Sequence, residues 1–234
     1  MLAHIVADYG FGDLAFAEVV QRIKLYLPDA EPVLTPVPPF ATLAAGFCIA
    51  QLGLNEAPAG TVIFHNVAPR EDDETARAEN AGERLAFARL PTGVRVVGVN
   101  AGYTFSLVRS AATELRWAAV PAEGSQFRSR DLFPRAAAAI VLGESGALGE
   151  ALRRADVPDV PRNRVDYVDG YGNVKTTIKY DPAKRASGAT VRVRIGNVER
   201  VATVSDGSFA VEPGQLALAP GSSGWSLEKK GEMV

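Results

Sequence analysis

The first apolar run, Leu2-Ala3-His4-Ile5-Val6-Ala7, closes on the polar, glycine-rich stretch Asp8-Tyr9-Gly10-Phe11-Gly12-Asp13. Such a run bounded by turn residues predicts a buried strand followed by a turn. Apolar residues then recur at Phe16, Val19, Val20, Ile23 and Leu27, stopping at Pro28, which predicts a helix beginning near Leu14. A second strand fits Pro32-Val33-Leu34. The prolines Pro36, Pro38 and Pro39 lead into a helix of small apolar residues from Thr42 to Leu52, and strands follow at Thr61 to Val67 and Val94 to Val99. The alanine-rich run from Arg135 to Leu142 reads as a helix ending at Gly143.

Strands alternating with helices predict an α/β domain, a mostly parallel sheet with helices on both faces. Ligands of such sheets gather at the carboxyl ends of the strands, where Asp8, Ala68-Pro69 and Asn100 fall. Around Val157-Pro158-Asp159-Val160-Pro161 the pattern changes to short alternating strands: 164–168, 174–180, 190–195, 199–204 and 215–219. Turn pairs such as Asp169-Gly170 and Asp206-Gly207 separate them, the pattern of a small antiparallel β-barrel or sandwich, of which the barrel is the expectation taken forward. The expected domains are therefore residues 1–157 and 162–234.

Composition narrows the function class. With 47% hydrophobic and 22% charged residues the chain reads as an ordinary globular protein. A net charge of −2 gives no overall pull toward nucleic acid or an anionic membrane. No uncharged apolar run approaches the roughly 18 residues of a membrane span, and no signal-peptide pattern opens the chain, so a cytoplasmic protein is expected. The one cysteine, Cys48, lies in an apolar run and reads as a buried thiol.

No phosphate loop, paired-cysteine metal motif or Gly-x-Ser-x-Gly elbow is present, and no metal is expected. The acids Glu71, Asp72 and Asp73 read as part of a solvated loop. His4 and His65 are the only histidines; His4 reads as a core residue, and His65, three residues before Ala68, is the candidate of the two. Asp8 is well placed to accept hydrogen bonds from a ribose diol.

Several ordered blocks together resemble the family of S-adenosylmethionine (SAM) hydroxide and halide adenosyltransferases, which includes SAM hydrolases, the fluorinase and the chlorinase. They are Val6-Ala7-Asp8-Tyr9-Gly10-Phe11-Gly12-Asp13, Pro39-Phe40, Gly60-Thr61-Val62 ending at Pro69, Phe127-Arg128-Ser129-Arg130-Asp131, Val168-Asp169-Gly170-Tyr171-Gly172-Asn173-Val174 and Ser222-Ser223-Gly224-Trp225. The resemblance implies a homotrimer, with SAM bound as substrate or ligand, and no separate cofactor, between one subunit's α/β domain and its neighbour's barrel.

It also implies roles. Asp8 would hold the ribose, Phe40 and Tyr171 would flank ribose and adenine, Asp169 would meet the methionine ammonium, and Asn173 and Ser223 would bond adenine. Pro69, Phe127 and Trp225 would complete the substrate-binding wall. Gly172-Asn173 also reads as a simple hairpin turn. The implied chemistry is displacement at the ribose 5′ carbon by water or a small anion, with methionine leaving. The catalytic candidates are Ser129, Arg84 and Arg128.

The chain departs from the hydrolytic pattern. Ala68 stands where those members have Asp, and Arg128 where they have His. Alanine takes no proton, and an arginine with pKa above about 12 is no general base. Ser129 stands where the fluorinase has a serine for its halide. A cation about 4 Å from the sulfonium would oppose it by roughly 4 kcal/mol at an effective dielectric near 20. Arg128 is therefore expected to pair with Asp131 or Glu71, turn to solvent, or serve an anion. The alternative is a non-catalytic trimer that binds SAM or adenosine.

Overall fold

The computed structural model describes residues 1–69, 83–121, 127–179, 186–207 and 210–223. The charged stretch from Arg70 to Arg77, Tyr180, Trp225 and the tail behind it lie outside the described residues. The chain divides into two compact units, Met1–Val160 and Pro161–Val234.

In the first unit, β1 (Leu2–Ala7) runs into the turn and then α1 (Leu14–Tyr26). Asp13 starts α1 as an N-cap, its Oδ1 accepting the Ala15 amide at 2.7 Å. Phe16, Val19 and Ile23 recur every three to four residues and bury one stripe of the helix. Next come β2 (Glu31–Pro36), α2 (Thr42–Gly53) and β3 (Val62–Asn66). Helix α2 is apolar nearly all round because it is covered on more than one side. A Cβ at Gly46 would lie 2.5 Å from the Tyr103 carbonyl oxygen, and one at Gly53 would lie 2.4 Å from Leu90.

Strands β4 (Leu85–Arg89), β5 (Arg95–Val99) and β6 (Glu114–Ala118) follow, then the short helix α3 (Arg128–Asp131), α4 (Phe133–Leu142) and β7 (Leu148–Ala151). Helix α4 ends at Gly143 with φ 72°, the left-handed stop that glycine accepts without strain. The seven strands form one sheet in the order β2-β1-β3-β5-β4-β6-β7. Strands β2, β1, β3, β5 and β6 run one way, and β4 and β7 run the other. The sheet is thus mostly parallel, as expected. The sequence pattern misses β4, β6 and β7. Of these, β6 and β7 are short and only half-buried, so no apolar run or clean alternation marks them.

Helices cover both faces. Ala3, Ile5, Ala7, Phe64, Phe87, Val97 and Val99 share a core with Phe16 and Ile23 of α1 and with Phe133 and Ala137 of α4, while α2 lies against β1, β3 and β5. Cys48 of α2 is buried.

In the second unit, β8 (Val165–Val168) and β9 (Val174–Thr176) form a hairpin. Separately, β10 (Thr190–Ile195), β11 (Val198–Val204) and β12 (Leu216–Leu218) form a three-stranded sheet. Within it β10 and β11 are antiparallel, whereas β12 runs parallel to β11. Among the described residues the second unit forms these two small sheets, and the unbroken ladder that closes a barrel is not shown.

Candidate functional site

Register brings the strand ends into line. Ala7 pairs with Asn66 and His65 with Gly98, so Asp8, Ala68 and Asn100 emerge along one edge of the sheet. This is the carboxyl edge of β1, β3 and β5, where ligands of such sheets gather.

Asp8 is fixed there by backbone, and among the described residues no salt bridge reaches it. Its Oδ2 accepts the amide of Phe40 at 3.2 Å and that of Ala68 at 3.1 Å. Among the described residues nothing donates to Oδ1. Phe40 presents its amide from a left-handed conformation, φ 63°. That is uncommon for a bulky residue and costs on the order of 1 kcal/mol, the kind of strain that clusters at ligand sites. Ala68 contributes no side-chain chemistry, but its N–H orients the carboxylate.

Beside Asp8 a hydrogen-bonded chain crosses three elements. The Asn66 side-chain amide donates to the Tyr9 hydroxyl at 3.1 Å, and the Tyr9 hydroxyl donates to Ser129 Oγ at 2.6 Å. Ser129 is buried at the start of α3. Burial pushes the Tyr9 phenol up to about 12, although its bonds to Ser129 and Asn66 pull the other way. The phenol therefore keeps its proton at any physiological pH. Its ring meets Phe16 edge-on at 5.1 Å and Phe127 at 6.3 Å.

Helix α3 is held in place by Arg130. That side chain binds Asp131 at 2.7 and 3.0 Å, reaches Glu18 of α1 at 3.2 Å, and lies 4.8 Å over the Phe127 ring. Ser129 and Phe127 thus reach Tyr9 by a tether across more than a hundred residues of sequence. Tyr9, Asn66 and Arg130 were not singled out from the sequence. Tyr9 adjoins Asp8, and Asn66 is a polar residue closing an apolar strand, so both carried a local signal.

The two arginines are occupied elsewhere. Arg84 precedes β4, three strand positions from β1 and hence about 14 Å along the sheet. Its guanidinium pairs with Glu150 at 3.3 Å and stacks 4.0 Å over Trp117. Arg128 donates to the Pro121 carbonyl at 3.3 Å and lies 5.1 Å over Phe133. Asp131, one of the expected partners of Arg128, accepts from Nε and Nη2 of Arg130; Glu71, the other, lies outside the described residues. Asn100 donates its side chain to the Asp156 carbonyl at 3.3 Å. Pro69 follows Ala68 and is half-buried.

In the second unit, Asp169 organises the β8–β9 turn. Its Oδ1 accepts the amides of Tyr171 and Asn173, both at 2.9 Å, and its Oδ2 accepts the Asn173 side chain at 2.8 Å. The Asn173 side-chain bond is the main reason that this carboxyl sits below the usual range. The hairpin reading of Gly172-Asn173 is correct, with Gly172 at φ 86°. Tyr171 at its tip is 96% exposed, so its ring face is open for contact. Ser223 is half-buried near the end of the described chain, and Trp225 lies beyond it.

Comparison with known proteins supports the pattern. Residues 163–227 match the model of the SAM hydroxide adenosyltransferase C-terminal domain. An uncharacterized conserved protein from Thermotoga maritima shares the fold at a TM-score of 0.73 and 23% identity, over 96% of this chain and 90% of that one. A conserved hypothetical protein from Thermus thermophilus does so at 0.65 and 23%, over 95% and 88%. No curated protein matches the sequence. Residues 163–227 are thus similar to the SAM hydroxide adenosyltransferase C-terminal domain, and these two proteins share the fold along nearly the whole chain.

Proposed function

We propose that the protein binds SAM through its ribose at Asp8 and displaces methionine from the 5′ carbon with a small anion. The observation that carries this reading is the Asp8 carboxylate at the sheet's carboxyl edge. One of its oxygens is committed to two backbone amides, which leaves the other for the sugar hydroxyls.

The chemistry balances without a base. The anion's lone pair forms the bond to C5′, the C5′–S bond breaks with its electrons going to sulfur, and the positive sulfonium becomes neutral methionine. The product is a 5′-substituted deoxyadenosine, and no proton moves. With water as nucleophile a proton must be released, and among the described residues beside Asp8 we find no side chain suited to take it. Ala68 is inert, the Tyr9 phenol holds its proton, and Arg128 is a permanent cation turned to a carbonyl. General-base help is worth roughly 10²–10⁴ in rate, so hydrolysis by this chain is slow. In this reading Ser129 serves the anion, Phe40 and Phe127 flank the nucleoside, and Arg84 and Arg128 take no chemical step.

Asp169, Tyr171, Asn173, Ser223 and Trp225 would reach the ligand from a neighbouring copy, in a homotrimer. The outward Tyr171 ring supports this arrangement.

The same lack of a base supports a second reading, a trimer that binds SAM or adenosine without turning it over. Incubating the protein with SAM in chloride, bromide or fluoride, and separating the nucleosides, decides between them. A 5′-halo-deoxyadenosine is expected; nucleoside binding with no product leaves the second reading. Replacing Asp8 with Ala removes a charge-assisted bond worth about 1.5–3 kcal/mol, so calorimetry should show adenosine binding weakened ten- to hundredfold. Unaltered affinity would remove Asp8 from the site, and no binding of SAM or adenosine at millimolar concentration would end both readings.

A further inference from the structure

We propose that Asn66 and Tyr9 are positioning residues that fix the Ser129 hydroxyl as a hydrogen-bond donor. The assignment rests on the reading above for its ligand, a small anion, but its geometry is independent of the nucleoside.

The direction of the chain follows from what each group can do. The Asn66 NH₂ only donates, so the Tyr9 oxygen receives at that side. Tyr9 spends its single proton on Ser129, 2.6 Å away. Ser129 Oγ is then an acceptor toward Tyr9, and its own proton must point elsewhere. Among the described residues none accepts it. Ser129 is only 4% exposed, so bulk water satisfies it poorly, and an unmet buried donor is costly. Hydrogen bonds in series polarise one another, which strengthens the last donor. The chain therefore ends in a donor suited to an electron-rich atom and holds no group that would withdraw a proton.

The opposite direction is the rival. Were the Asn66 carbonyl oxygen turned toward Tyr9, Tyr9 would donate to it, Ser129 would donate to Tyr9, and no donor would remain. Tyr9→Phe tells the two apart. It keeps the ring against Phe16 and Phe127 and removes only the hydroxyl. In the proposed direction it removes the support of Ser129 and weakens anion binding; in the rival direction it frees the serine proton and strengthens it.

The experiment is a pair of titrations on the full chain. Chloride is followed by ³⁵Cl line broadening with bromide as competitor, and adenosine by calorimetry. We expect Tyr9→Phe to weaken chloride binding three- to tenfold, the equivalent of one hydrogen bond, and to leave adenosine affinity within twofold. Asn66→Leu should weaken chloride in the same direction and by less. Tyr9→Phe added to Ser129→Ala should weaken it no further, because links of one chain are not additive. Unchanged or tighter chloride binding in Tyr9→Phe, or full additivity in the double variant, overturns the proposal. A wild-type protein that binds chloride but not adenosine sinks the nucleoside reading and leaves this one; adenosine without chloride does the reverse.

Discussion

His65 has no exposed surface, neither ring nitrogen has a hydrogen-bond partner among the described residues, and its ring meets Phe105 edge-on at 5.0 Å. Burial lowers its pKa to about 3, so the folded protein holds it neutral. Below about pH 6.5 the unfolded chain takes a proton that the folded chain refuses, and stability falls as pH drops. The loss should reach about 2 kcal/mol by pH 5. Denaturant midpoints at pH 7 and pH 5 should show this fall in the wild type and a smaller one in His65→Leu; an equal fall in both would clear the ring. Asp166 works the other way. Burial pushes its carboxyl up to about 6, against the opposing pull of the Asp166 and Tyr167 backbone amides. Its folded pKa lies above the unfolded value, so it lowers stability as pH rises from about 4 through 6 and keeps it lowered above. Asp166→Asn should raise the melting temperature more at pH 8 than at pH 4, and a gain independent of pH would contradict this account.

Element packing depends on absences as much as on side chains. Strands β3 and β5 pair closely at His65 and Gly98, and a Cβ at Gly98 would stand 2.2 Å from the imidazole. Gly98→Ala should therefore cost about 1–3 kcal/mol by overpacking, measured by denaturant unfolding. Combined with His65→Ala the cost should be partly recovered, since the two sites are in contact; strictly additive costs would show that the clash is not the cause. The same dependence on neighbours explains what the sequence hid. The polar residues of β6 interrupt the signals that mark strands, yet the sheet is continuous through it. Helix α1 was legible from its start near Leu14, and α4 from Arg135, two residues inside its start, to its stop at Gly143, because such starts and stops act within one turn of chain.

At the scale of the whole molecule, the second unit leaves Val168, Tyr171, Ile195, Val198 and Val201 exposed. Ile195 and Val198 pair across β10 and β11 and so share one face, which a neighbouring copy would cover in the proposed trimer. No helix among the described residues is long and apolar enough to cross a membrane. The proposed trimer makes this prediction: sedimentation of the wild type should give three chains of 24.8 kDa, and Val168→Lys with Val198→Lys should shift it toward one. A wild-type protein that sediments as a single chain would remove the shared site from the functional reading.

Strand β1, the turn after it, helices α1, α2 and α4, the change of pattern near Pro161 and the position of Asp8 at a strand end were all determined by the sequence itself. Each rests on interactions within a few residues: periodicity, caps, turns, or a carboxylate at a strand end. The pairing that set β4 between β5 and β6 needed the folded chain. So did the Arg130 clamp that carries Ser129 to Tyr9, and the withdrawal of Arg84 and Arg128 into other contacts. Those contacts join residues tens of positions apart, or turn on which of several nearby partners a side chain takes. Local pattern holds no record of such choices, because only the closed sheet brings the partners within reach of one another.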